Sequence, residues 1–132
     1  MSAASPALVT GVDFVGLSTT DFDRAVAFYE ETLELPRSAY NAERGFAEFE
    51  TGNLTVSIIH SERMGLEHHV SHNAIALHVQ DMQAARAALQ ERGVRFQGDT
   101  FDTGVCHMAF FADPDGNALM LHHRYAPRVP EA

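Results

Sequence analysis

The segment Phe14-Val15-Gly16-Leu17-Ser18-Thr19-Thr20-Asp21 reappears sixty positions downstream as Ala74-Ile75-Ala76-Leu77-His78-Val79-Gln80-Asp81, with Leu17 matched by Leu77 and Asp21 by Asp81. The same offset aligns Ala25, Ala27 and Glu31 with Ala85, Ala87 and Glu91. Gly52-Asn53 then meets Gly116-Asn117 after a small shift. A duplicated unit of this size folds as two copies of one supersecondary module, and this limits the architecture more than composition does.

The plan of each module follows from periodicity. A short β-like run ends at Asp21, whose carboxylate suits the free amides of a helix starting at Phe22. Phe22, Val26, Tyr29 and Leu33 then form one apolar stripe, and Pro36 ends it, so a helix is predicted over 22–34. In the second half Asp81 opens a helix with Met82, Ala85 and Leu89 on its buried side, and Gly93 supplies the stop. Short strands are predicted at 36–40, 45–50 and 54–60, and again at 94–98, 105–111 and 118–124, with antiparallel pairing. The resulting fold class is α+β, built from tandem βαβββ modules at 11–60 and 74–124 joined by a linker at 61–73. One module alone is too small to bury a core, so the two are expected to set their sheets side by side around a common concavity.

Length and charge narrow the partners. At 132 residues with 45% hydrophobic content, the chain 1–132 reads as a single domain. Eighteen acidic residues against nine Lys and Arg give a formal charge of −9, which argues against nucleic acid and anionic membrane surfaces as partners. The first ten residues lack a basic flank and apolar signal segment, and no apolar run approaches a membrane span, so a cytoplasmic address is expected. Cys106 is the sole cysteine and reads as a buried small hydrophobe.

With VGLSTTDFDRAVAFYEETLEL near the start and FFADPDGNALML near the end, the tandem chain resembles the vicinal-oxygen-chelate superfamily of glyoxalases, bleomycin-resistance proteins and ring-cleaving dioxygenases over about residues 12–124. The resemblance implies a ligand cleft, a homodimer and, in metal-using relatives, two metal ligands per module. One stands seven residues before the capping Asp, at Phe14 and Ala74. The other stands four residues beyond the Gly of the Gly-Asn turn, at Val56 and Met120. None of these side chains suits a hard divalent cation, so no metal and no cofactor are expected at that centre. Phe14, Val56, Ala74 and Met120 instead suggest a wall that binds an apolar or aromatic small molecule without chemistry, as metal-free bleomycin-resistance-type relatives do.

Strand alternation gives His60, His78 and His122 the parity of Val56, Ala74 and Met120, which makes them candidate ligand-binding residues in the same cleft. An enzymatic alternative follows. Converging imidazoles could hold a displaced metal or transfer protons in an isomerase, lyase or oxygenase, with Glu48 or Glu50 assisting. No catalytic residue is assigned. Glyoxalase activity itself is not expected, because it needs a metal-bound enediolate and a carboxylate base at the matching places. His68, His69 and His72 fall in the linker, while His107 and His123 receive no role. Asp113-Pro114-Asp115-Gly116-Asn117 reads as a turn and not a calcium loop, because its Gly is misplaced and Arg124 stands where a bidentate Glu belongs.

Overall fold

A computed structural model describes residues 7–128. Residues 1–6 and 129–132 lie outside the described residues, so part of the N-terminal stretch read for a signal segment, and both ends of the 1–132 domain, are outside it too. Each half forms a four-stranded sheet. The first contains β1 (Phe14–Thr19), β2 (Arg37–Asn41), β3 (Phe46–Glu50) and β4 (Thr55–His60) in the order β1-β4-β3-β2. The second contains β5 (Ile75–His78), β6 (Phe101–Asp102), β7 (Cys106–Ala112) and β8 (Ala118–Arg124) in the equivalent order β5-β8-β7-β6. The hairpin strands pair antiparallel, as expected, and the last strand of each module returns parallel to its first. Among the described residues no helix is long and apolar enough to cross a membrane.

Helix α1 (Phe22–Ala27) opens where the sequence places it, with the Asp21 carboxylate accepting from the Arg24 amide at 3.2 Å. It does not run unbroken to 34. From Phe28 to Thr32 the chain widens into a π-helical turn, with the Leu33 amide donating to the Phe28 carbonyl at 2.9 Å. A regular α-helix would splay adjacent residues about 100° apart, whereas the wider turn buries both Phe28 and Tyr29. Their rings meet edge to face at 5.3 Å, and Tyr29 also stacks on Phe49. Helix α2 (Met82–Glu91) is regular, capped by Asp81 through the Ala84 amide, and followed by Gly93 at φ 91°.

The strand expected at 94–98 does not form. Val94 and Phe96 turn into the core, and Phe96 packs its ring 5.3 Å from Phe111. Arg86 lies over the Phe96 ring and donates to the Gly98 carbonyl at 2.7 Å, so a side chain takes an acceptor that a ladder would need. The segment keeps one backbone bond to β7, from the Gln97 amide to the Phe110 carbonyl at 2.8 Å, and the ladder with β7 forms at Phe101–Asp102.

The helix-facing sides of both sheets merge into one core. Leu17, Phe22, Tyr29, Phe49 and Ile58 come from the first module, and Met82, Leu89, Phe111 and Leu119 from the second. The 113–117 turn ties the modules together with polar bonds. Asp113 is buried and accepts from the Tyr29 hydroxyl at 2.7 Å, from the Asp115 and Asn117 amides at 2.9 Å, and from the Asn117 side chain at 2.9 Å. Burial, reinforced by the Asp113 charge, pushes the Tyr29 phenol well above its ordinary range. Asn117 also donates to the Ser18 carbonyl and accepts from the Ser71 amide in the linker. This motif is a turn, as read from sequence, and its side chains form the latch between modules.

Candidate functional site

Each sheet buries one face under its helix and leaves the other open. In the first sheet, Val15, Leu17, Ala47, Phe49, Val56 and Ile58 face the helix side. Alternation then puts Phe14, Gly16, Phe46, Glu48, Ser57 and Ile59 on the open face. In the second sheet, Ala109, Phe111, Leu119 and Leu121 face the helix, while Ala76, His78, Met108, Phe110, Met120 and His122 lie on the open side.

This geometry corrects one assigned position. Val56 is 2% exposed and belongs to the helix-side core, opposite Phe49. Met120 pairs with Ala76, and the first-module counterpart of Ala76 is Gly16, which pairs with Ser57. Ser57, not Val56, is therefore the equivalent of Met120. The cause is the place of the Gly-Asn pair in the two turns. Residues 51–54 join β3 to β4 and residues 113–117 join β7 to β8, so Gly52 lies three residues before its strand and Gly116 two, and counting four from each glycine lands on opposite faces. The corrected set is Phe14, Ser57, Ala74 and Met120, again without an imidazole or carboxylate.

The three histidines do not converge. His78 and His122 are direct neighbours in the β5–β8 pairing, whereas His60 belongs to the other sheet and shares the helix-facing parity of Val56 and Ile58. His60 Nδ1 accepts from the Arg63 amide at 3.3 Å. Among the described residues no three His, Cys, Asp or Glu side chains are grouped so as to hold a metal ion. Glu50, the candidate assisting carboxylate, accepts from Ser38 and Thr55, which hold it below the usual carboxylate range and make it a weaker base.

Val56 and His78 do share a small recess of about 160 Å³ between the 51–56 turn and β5. Phe14 is 55% exposed, and Ala76 and His78 are exposed as well, so one chain does not roof its own open faces. The expected common concavity is therefore not closed within a single chain. A larger cavity, about 690 Å³, lies elsewhere, at the start of α2, and His107 and His123 line it. Sequence reading left both of these residues without a role. Their shared register on β7 and β8 was the signal that would have joined them.

A family model described as the Glyoxalase/Bleomycin resistance protein/Dioxygenase superfamily matches residues 11–121. The chain belongs to this superfamily. Among curated proteins it is similar to the uncharacterized protein YraH of Bacillus subtilis (strain 168), at 27% identity over 120 residues, covering 82% of this chain and 94% of YraH. Among solved structures it resembles TnmS3, an antibiotic binding protein from Streptomyces sp. CB03234, with a TM-score of 0.74 at 24% identity over 90% of this chain and 99% of that one. It also resembles lactoylglutathione lyase from Agrobacterium tumefaciens, with a TM-score of 0.74 at 13% identity over 86% and 93% of the two chains. At these identities the two structures share the superfamily fold with this chain. That fold carries both binding proteins and enzymes, so the side chains of the site have to decide the chemistry.

Proposed function

We propose that this superfamily member binds an apolar or aromatic small molecule on its open sheet faces and performs no metal chemistry at the superfamily's usual centre. The observation that carries the reading is the set Phe14, Ser57, Ala74 and Met120, which sits where metal-using relatives place imidazole and carboxylate. Around it, Phe46, Met108 and Phe110 extend a half-buried surface of rings and thioethers, which suits flat apolar ligands. The likeness to an antibiotic binding protein supports the same class.

A second copy of the chain would complete the cleft. The open face of the first sheet carries Glu48 and Glu50, and that of the second carries Arg124 with His78 and His122, so the two faces are complementary in charge. In a homodimer the first module of one copy would face the second module of the other. The cytoplasm is the proposed compartment.

The test is a ligand-detected NMR screen of fused-ring aromatic compounds against the untagged chain, paired with sedimentation to read the oligomer. Binding weakened at least tenfold by Met120→Glu, with the fold retained, supports the reading. A screen without hits, or hits indifferent to Met120→Glu and Phe110→Ala, overturns it.

A further inference from the structure

On the helix-facing side of the second sheet, opposite the proposed organic-ligand face, His107 and His123 are directly paired across β7 and β8. Side chains at directly opposed positions have Cβ atoms about 4.5–5.5 Å apart. Both rings line the cavity of about 690 Å³ at the start of α2.

Each imidazole has one nitrogen beside an oxygen acceptor. His123 Nδ1 lies 3.0 Å from the Val79 carbonyl, which can only accept, so that nitrogen carries the hydrogen. His107 Nε2 lies 3.4 Å from Asp102 Oδ2. Asp102 is fixed in turn, because its Oδ1 accepts from the Tyr125 hydroxyl and the Gly104 amide, both at 2.8 Å. In the neutral ring this leaves His123 Nε2 with its lone pair free, and a neutral His107 with its proton on the Asp102-facing Nε2 likewise carries its lone pair on Nδ1. A histidine whose far nitrogen donates to a carboxylate or backbone carbonyl is the arrangement that orients imidazoles as metal ligands. Asp99 also lines the cavity, while the one guanidinium on its wall, Arg86, is turned onto Gly98 and Thr100.

We infer that His107 and His123 form a two-histidine site for a late first-row divalent cation, with water or an exogenous donor filling the remaining positions. Imidazole ligands favour zinc, nickel and copper over magnesium or calcium. The site does not depend on the proposed organic-ligand face.

The experiment is a zinc titration of the untagged full chain, followed by calorimetry and by long-range 15N NMR of the histidine rings. One zinc per chain is expected, with the His107 and His123 ring signals shifting together. His107→Asn and His123→Asn should each lower affinity at least tenfold. Asp102→Asn should lower it roughly tenfold by loosening the ring it orients. The triple variant His68→Gln, His69→Gln, His72→Gln should bind as the wild type does. Zinc shifts confined to other histidines of the wild-type protein would overturn the inference, and so would undiminished binding by the folded His107→Asn, His123→Asn double variant.

Discussion

The hydroxyl of Tyr29, on the π-helical turn of the first module, donates at 2.7 Å to the buried carboxylate of Asp113 in the second. This bond joins positions 84 residues apart, so the two modules meet through a buried phenol and a buried charge as well as through shared apolar core. The other donors to Asp113 are local to its own turn, and among the described residues only Tyr29 brings it a bond from the first module.

Tyr29→Phe removes that donor while keeping the ring stacked on Phe49. The expected cost is about 1–3 kcal/mol, the range for leaving a buried partner short of a hydrogen bond. Asp113→Ala should cost more, because it strands the Tyr29 hydroxyl and the Asn117 side chain together. Urea unfolding monitored by circular dichroism measures both, and a Tyr29→Phe variant as stable as the wild type would show that the bond contributes nothing.

The same pair predicts an alkaline weakness. The Tyr29 phenol is raised in the folded state by burial and then by Asp113, relative to an ordinary value of 10.0. A raised group contributes its stability fully below the unfolded value and loses it as pH rises beyond. Stability should therefore fall above about pH 10, and Tyr29→Phe should flatten that part of the profile. Equal slopes for the two proteins above that pH would refute the assignment.

The corrected register makes Val56 and Ser57 opposites. Val56→Glu drives a carboxylate into the helix-side core beside Phe49 and should destabilise the chain by several kcal/mol or prevent folding. Ser57→Glu places its side chain on the other face of the sheet, where Ser57 is 6% exposed and has Glu48 as its cross-strand neighbour, and should cost less than Val56→Glu because it does not enter the helix-side core. Thermal melts of the two variants decide the matter, and a reversed order would restore Val56 to the cleft.

Asp81→Ala deletes the side-chain acceptor for the Ala84 amide at the start of α2. About 1 kcal/mol should be lost in chemical denaturation. Asp81→Asn, which keeps an acceptor oxygen, should recover most of it.

Local chemistry made much of the architecture readable from the sequence. Asp21 and Asp81 cap helices where predicted, Gly93 ends one, and the apolar alternation around Phe49, Leu119 and Leu121 defines the buried faces. Features set by tertiary contact were not readable. The π-helical turn answers to the burial of Phe28 and Tyr29 against residues distant in sequence, and Arg86 captures Gly98 only once α2 packs beside it. Phe14, Ala74, Met120, His78 and His122 could be placed by counting from repeated landmarks. Val56 and His60 could not, because the Gly-Asn pair used as the landmark lies at different distances from β4 and β8. The pairing of His107 with His123 needed the β7–β8 register, which no local signal announces.

The unequal turns also bear on how such proteins diversify. Residues 51–54 join β3 to β4 and residues 113–117 join β7 to β8, yet Val56 and Leu119 hold equivalent buried positions. A duplicated fold can therefore let one turn gain or lose a residue while the strands on either side keep their faces, and a ligand position transferred between its halves by counting from a landmark inside the turn will fall on the wrong side whenever the two turns differ in length.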